Sequence, residues 1–302
     1  MKIQFFEASN SMNIVILRAM LKKHFLICLF LVLNGAFFIA QTNDKQSCKE
    51  VLLRSLKAIN EVKGLKYHLK IIERGRKGFN NYESSVKYTR SPKKVYLYIK
   101  GIEVLYTPGL GEKKALVKPN SFPYFNLNLD PMGDLMRSDQ HHTINEMGYD
   151  YFASVIQHAV DKIGDRFDEV FSLAGEEKIN NRICYKVVID NKDFKYIDYT
   201  IQENESITSI ARKYFVPEYL IVEKNPKFKD YFDILKKGEV IKIPNWYCQR
   251  TVMYIDKFYH LPVSVNVLDD VGLFEEYNYL FIQVNPIFEQ GEFTKKFKGY
   301  GF

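Results

Sequence analysis

The stretch "RSDQHHTINE", residues 137–146, holds Asp139, His141, His142 and Glu146, the only place in the 302-residue chain where histidines and carboxylates crowd together. Such a group could bind zinc, with His158 recruited as a further ligand, or pass protons. Read as a strand, however, the adjacent histidines point to opposite faces and cannot easily share one metal. Surface or hydrogen-bonded core histidines fit the pattern better, and no metal or cofactor is assigned. The chain has no Gly-x-Ser-x-Gly, no His-Glu-x-x-His and no phosphate loop. A glycosidase needs two carboxylates flanking a sugar bond, and sequence alone pairs none of the 36 acidic residues for that role. Binding therefore stands ahead of catalysis.

Cysteine chemistry is similarly sparse. Cys28 lies in an apolar N-terminal run, leaving Cys48, Cys184 and Cys248. Cys184 and Cys248 each sit on a strand-like stretch beside an anomalous segment, so a disulfide between them would pin its base; buried free thiols are the alternative. No two cysteines are close enough in sequence to suggest a metal site.

The N-terminus reads as an address. In "MLKKHFLICLFLVLNGAFFIAQ", residues 20–41, two lysines precede an apolar run that ends in small residues and a polar continuation, the layout of a secretory signal peptide. The run is short for a spanning helix, which needs about 20 apolar residues. We expect a signal peptide at 1–40, cleaved after Ala40, with an uncleaved anchor as the alternative. Met20 directly precedes the lysine pair, so 1–19 look like an over-called start. The destination is the periplasm or cell envelope.

Composition suits a strand-rich globular protein, with 46% hydrophobic and 15% aromatic residues against only 10 prolines. The net charge of +7 falls to +4 without the first 40 residues. That bias is too weak to argue for nucleic acid.

The elements follow from periodicity. "CKEVLLRSLKAINEVK" (48–63) places Val51, Leu52, Ser55, Leu56 and Ile59 on one helical face. "LKYHLKIIE", "YESSVKYTR" and "KKVYLYIK" alternate as hairpin strands, and "EVLYTPG" and "KKALVKP" continue them. Helical spacing returns at 148–163, then strand patterns at 168–190 and 249–284. This is an α+β chain: a curved antiparallel half-barrel sheet with packing helices, interrupted by one small insert.

The insert, residues 198–246, has the order strand, helix, helix, strand. Ile207, Ile210, Ala211 and Tyr214 form the first helix face after a cap at Glu205 or Ser206. Pro217 suits the start of the second helix, Asn225 its left-handed exit, and Pro226 prevents continuation. These residues resemble the LysM domain, whose Tyr-Thr-Val opening, Asn-Pro pair and closing Gly-x-x-Ile-x-Ile-Pro are matched at Tyr199–Ile201, Asn225–Pro226 and Gly238–Pro244. The resemblance implies binding of N-acetylglucosamine polymers, in bacteria chiefly peptidoglycan glycan strands. It carries a sugar groove onto Asn204, Glu205, Ser206 and Ile207 on one loop and Asn225, Pro226, Ile234 and Leu235 on the other. The family's Pro-Gly-Asp-Thr turn reads Glu203-Asn204-Glu205-Ser206 here, and the extra carboxylates could repel anionic wall polymers. A LysM fold kept only for packing is the bland alternative.

Residues 41–197 and 247–302 resemble a second group, the exported bacterial family called domain of unknown function 1571, related to LolA-like lipoprotein carriers. The likeness rests on 101–152, on "HLPVSVNVLDDVGLFEEYNY", and on the terminal "NPIF" and "GYGF". It implies a half-barrel whose hollow holds a lipid or acyl chain, although the same inward residues could simply fill the core. The resulting expectation is a non-catalytic envelope protein, with a peptidoglycan-modifying hydrolase and a purely structural protein as alternatives. Oligomeric state is left open.

Overall fold

In the computed structural model, which describes residues 47–109, 113–137 and 140–302, helix α1 (Cys48–Glu61) begins at a capping box. Ser47 Oγ accepts the Glu50 N–H at 3.2 Å, and the Glu50 carboxylate accepts the Ser47 N–H at 2.9 Å, satisfying donors that a helix start leaves without partners. Val51, Leu52, Ser55 and Ile59 form its buried face. The expected signal peptide at 1–40 and Asp139 lie outside the described residues. Among the described residues, no helix is long and apolar enough to cross a membrane.

Strands β1 (Gly64–Gly75), β2 (Gly78–Arg90), β3 (Lys93–Ile99), β4 (Ile102–Tyr106), β5 (Ala115–Lys118) and β6 (Leu127–Leu129) follow as successive neighbours. A loop carrying α2 (Asp134–Arg137) leads to α3 (Asp150–Ile163), α4 (Phe167–Val170), β7 (Phe171–Ile179) and β8 (Arg182–Asp190). The α4 turn replaces the strand start expected at 168, because Phe167 and Val170 bury together only at helical spacing. Asn180 and Asn181, with φ of 49° and 63°, make the two-residue hairpin turn between β7 and β8. The insert supplies β9 (Tyr196–Thr200), α5 (Ile207–Tyr214), α6 (Glu218–Lys224) and β10 (Val240–Pro244). β11 (Arg250–Asp256), β12 (Pro262–Asp269) and β13 (Gly272–Val284) follow as the last strands.

The large sheet has 11 strands in the order β6-β5-β4-β3-β2-β1-β13-β12-β11-β8-β7, and its two end strands are not paired with each other. Neighbouring strands are antiparallel throughout, so the sheet is an open half-barrel. Register shifts interrupt the β1–β13, β11–β12, β12–β13 and β7–β8 ladders. Each irregularity bends its strand and adds local twist, which helps the sheet curl.

Period-two alternation puts Leu65, Tyr67 and Leu69 of β1 on the inner face. On that face, α3 contributes Phe152, Val155, Ile156 and Ala159 to the lining of a cavity of about 170 Å³. The inward residues thus do both things the sequence allowed: most fill the core, and the rest surround a hollow.

β8 and β11 are sheet neighbours, with Asp190 facing Arg250. The insert therefore leaves and re-enters the sheet at adjacent points, where a long insertion is well tolerated. It has a core of its own, including Ile201, Ile207, Ile210, Ile221, Ile241 and Ile243. Tyr219 and Leu220 of α6 instead join the core of the half-barrel. The insert has its own core and is seated on its host chiefly through α6.

Of the two alternatives for Cys184 and Cys248, the disulfide is not made. Cys184 faces Asp256, whereas Cys248 precedes Arg250 at the opposite end of the same ladder, a separation of about 20 Å of strand. Both are free thiols. Burial pushes the Cys248 thiol up to about 12, which makes it unreactive.

Candidate functional site

The loops of the insert and the cavity are both candidates to receive a ligand. Tyr199 of β9 faces Ile241 of β10. Beyond that ladder the Ile201 N–H donates to Glu239 O and the Gly238 N–H to Ile201 O, both at 2.9 Å, bringing the two insert loops together. An exposed Lys237–Glu203 ion pair at 2.9 Å spans the same gap.

The eight residues expected to grip a sugar separate into presented and withdrawn ones. Asn204, Ser206, Pro226 and Ile234 are exposed, Ile234 at 88%. Asn204 takes φ 60°, the turn conformation in which an asparagine can stand in for glycine. Ser206 caps α5, its Oγ accepting the Ser209 N–H at 3.1 Å. Glu205 folds back on its loop, accepting the Tyr199 hydroxyl at 2.7 Å and the Gln202 N–H at 2.8 Å, and it pairs with Lys213 at 3.3 Å. Leu235 packs partly against the insert core.

Two residues need reassignment. Ile207 is fully buried and belongs to the core. Asn225 is buried and leaves α6 with φ −123°, not in the left-handed conformation. Its Nδ2 donates to the carbonyls of Ile221 at 2.6 Å and Lys242 at 2.7 Å, while its Oδ1 accepts the Lys242 N–H at 2.9 Å. The side chain ties α6 to β10, and that reach replaces the turn that a left-handed exit would make.

The insert meets the half-barrel through buried charge and stacked rings. Arg137 of α2, 2% exposed, pairs with Glu218, donates to the Thr208 hydroxyl at 3.2 Å and lies 4.4 Å from the Tyr231 ring centre. Arg212 pairs with Glu146 and lies over Tyr151 at 4.6 Å. Arg74 of β1 grips Asp269 and reaches Glu223 of α6 at 2.8 Å. His141 is sandwiched between Tyr219 and Phe274, each with its ring centre 4.6 Å away. His158 stacks elsewhere, on Phe215 at 4.5 Å.

The cavity has one polar wall. Glu73 of β1 and Glu275 of β13 sit directly opposite each other in register, and both are buried. Like charges so placed repel unless partnered. Glu73 accepts the Tyr277 hydroxyl at 2.8 Å and the His141 backbone N–H at 3.2 Å; Glu275 accepts the Tyr247 hydroxyl at 3.1 Å and lies 2.8 Å from His141 Nδ1. His142 lies between Glu146 at 3.1 Å and Glu275 at 3.6 Å.

The two histidines thus converge on one carboxylate, contrary to the strand reading, because residues 141 and 142 lie in a bend. Burial alone would raise the Glu275 pKa, but hydrogen bonds and charge from the two histidines hold it down to about 2. Burial likewise opposes a charged His142, yet Glu146 and Glu275 outweigh it and lift that imidazole well above its ordinary range. Among the described residues, no group of His, Cys, Asp and Glu is arranged to hold a metal ion. His142 and Glu146 were legible as a cluster; Glu73, Glu275 and Tyr277 join it only through strand register, whose signal was their place in the inward alternation, and Tyr247 joins it from the segment between β10 and β11.

The remaining walls are mostly apolar, with Leu69, Ile71, Val265 and Val267 from the sheet and Trp246 from the segment that returns the insert to β11. The volume is some tenfold larger than the ~10–15 Å³ one water requires, and smaller than the ~300 Å³ at which most small-molecule sites begin. It suits one ring or chain segment.

Residues 199–244 match the family model of the LysM domain, and this part of the chain is a LysM domain. No curated protein matches the chain. Among solved structures, the lipoprotein LppX of Mycobacterium tuberculosis is 11% identical, with a TM-score of 0.39 over 80% of this chain and 97% of that one. LprF from Mycobacterium bovis is 12% identical, with a TM-score of 0.37 over 80% and 94%. MucB is 8% identical, with a TM-score of 0.38 over 82% of this chain, which spans 62% of MucB's length. Scores this low identify no ligand.

Proposed function

We propose that this is a non-catalytic protein of the bacterial cell envelope, whose LysM insert binds peptidoglycan through N-acetylglucosamine and whose half-barrel holds a hydrophobic ligand. The observation that carries this reading is the LysM match at 199–244, in a segment with its own core and with exposed polar and apolar side chains on adjoining loops. Asn204 and Ser206 offer hydrogen bonds suited to an acetamido group, and Pro226 and Ile234 offer apolar contact for a pyranose face. Glu203 and Glu205 are each paired with a lysine, which blunts repulsion of anionic polymers. One shallow module binds weakly, since avidity in such systems comes from repeats. The lysine-flanked apolar run near the N-terminus supports export. For the half-barrel, the support is the apolar hollow.

The carboxylates Glu73 and Glu275 do not favour the hydrolase alternative, because both are buried and already engaged by tyrosines and His141.

The test is sedimentation with purified peptidoglycan, comparing the intact chain with an Asn204→Ala/Ile234→Ala variant. Deleting the whole insert would be uninformative, since α6 shares the host core. The proposal expects the chain to pellet, the variant to stay largely soluble with an unchanged melt, and no muropeptides to appear. Equal pelleting contradicts the groove, and muropeptide release identifies a hydrolase.

A further inference from the structure

Resting on the reading of the cavity as a ligand site, we infer that its ligand is an uncharged amphiphile with a buried carbonyl, a neutral fatty ester in preference to a fatty acid, a phosphate-bearing lipid or an alkylamine. Among the described residues, no lysine or arginine lines the cavity. His142, the lining residue able to carry positive charge, is already held between two carboxylates. The three lining carboxylates are engaged as well: Glu73 by Tyr277, Glu146 by His142 and Arg212, and Glu275 by His141 and Tyr247. A charged ligand group entering this wall would meet no free counter-charge, the most costly form of burial.

What the lining does offer is neutral. Ser84 on β2 and Asn191 just after β8 both line the cavity, 2% and 3% exposed, and among the described residues neither Ser84 Oγ nor Asn191 Nδ2 has a hydrogen-bond partner. A buried polar atom left unbonded is destabilising, so each marks a place where a ligand atom would be welcome. The amide nitrogen of Asn191 can only donate, and its Oδ1 already accepts the Asp193 N–H at 3.0 Å. The ligand atom it meets must therefore be an acceptor. A serine hydroxyl donates equally well. An ester carbonyl is an acceptor without charge, and its hydrocarbon flanks match the aliphatic remainder of the lining.

Trp246 is the single tryptophan of the chain and lines the cavity, so its fluorescence reports occupancy. The full chain is titrated with decane, methyl decanoate, decylamine, decyl phosphate and decanoate, at a pH where the acid is ionised. Methyl decanoate is expected to bind at least about tenfold more tightly than any of the charged probes; four strands separate β2 from β8, so one carbonyl meets one of the two donors, and either Ser84→Ala or Asn191→Leu is expected to weaken it by about 3- to 10-fold, the worth of one hydrogen bond, with decane unaffected. Equal or tighter binding of a charged probe, or an ester affinity that survives both substitutions, overturns the inference while leaving a hydrophobic site standing. If decane and the ester alike leave Trp246 unperturbed, both the inference and the hydrophobic-ligand reading fall.

Discussion

Replacing Arg137 with methionine would remove the nearer counter-ion of the buried Glu218 carboxylate and leave it only Arg212, at 3.8 Å. Breaking a buried pair from one side costs about 3–5 kcal/mol, whereas replacing both partners by apolar residues is often neutral. Denaturant melts should therefore show Arg137→Met strongly destabilised and Arg137→Met/Glu218→Leu largely restored. Glu275 and His142 give the protein its pH dependence. The Glu275 pKa is lowered from 4.5 to about 2, so its contribution is present above about pH 4.5 and lost as pH falls toward 2. The shift corresponds to a contribution on the order of 3 kcal/mol. The His142 pKa is raised above 6.5, so its contribution is complete below that pH and lost as pH rises through the higher folded value. Thermal melts across pH should find the acid limb flattened in Glu275→Gln and the alkaline limb flattened in His142→Gln. The sequence displayed His142 and Glu146 side by side, but their decisive partner is more than a hundred residues away on β13. Asn225 misled for a related reason: its type is that of a sugar ligand and a helix cap alike, and only its three bonds to α6 and β10 separate the roles.

At the scale of elements, α6 joins the two folds. Leu220 is fully buried in the half-barrel core, while Ile221 beside it is buried in the insert's own. Leu220→Ala should cost about 2–5 kcal/mol, as core truncations do. Calorimetry on the intact chain should show insert and half-barrel melting in one transition, and two resolved transitions would mean the docking is energetically slight. Most elements were readable beforehand, because α1, α3, α5 and the long strands carry clean periods of 3.6 or 2. The short α4 turn was not, since a few residues cannot show a period. Neither was the docking face: Arg137, Arg212 and Tyr219 look like ordinary surface residues until the fold sets them against Glu218, Glu146 and His141.

For the whole molecule, the presence of an insert was legible from a change of period, and its place in a hairpin follows from Asp190 and Arg250 being ladder partners. The size of the hollow was not, because inward alternation is the same whether side chains meet across the half-barrel or stop short. The returning segment 245–249 brings Trp246 and Tyr247 into the cavity wall directly after the LysM domain ends, so that domain and the apolar chamber share a boundary. The most direct measurement is a titration of the isotope-labelled intact chain with N-acetylglucosamine oligomers, followed by amide chemical shifts. The account predicts saturable shifts confined to the loops around Asn204–Ser206, Pro226 and Ile234, with the Glu73–Glu275 wall silent. Shifts absent from those loops, or centred on the cavity wall, would contradict it.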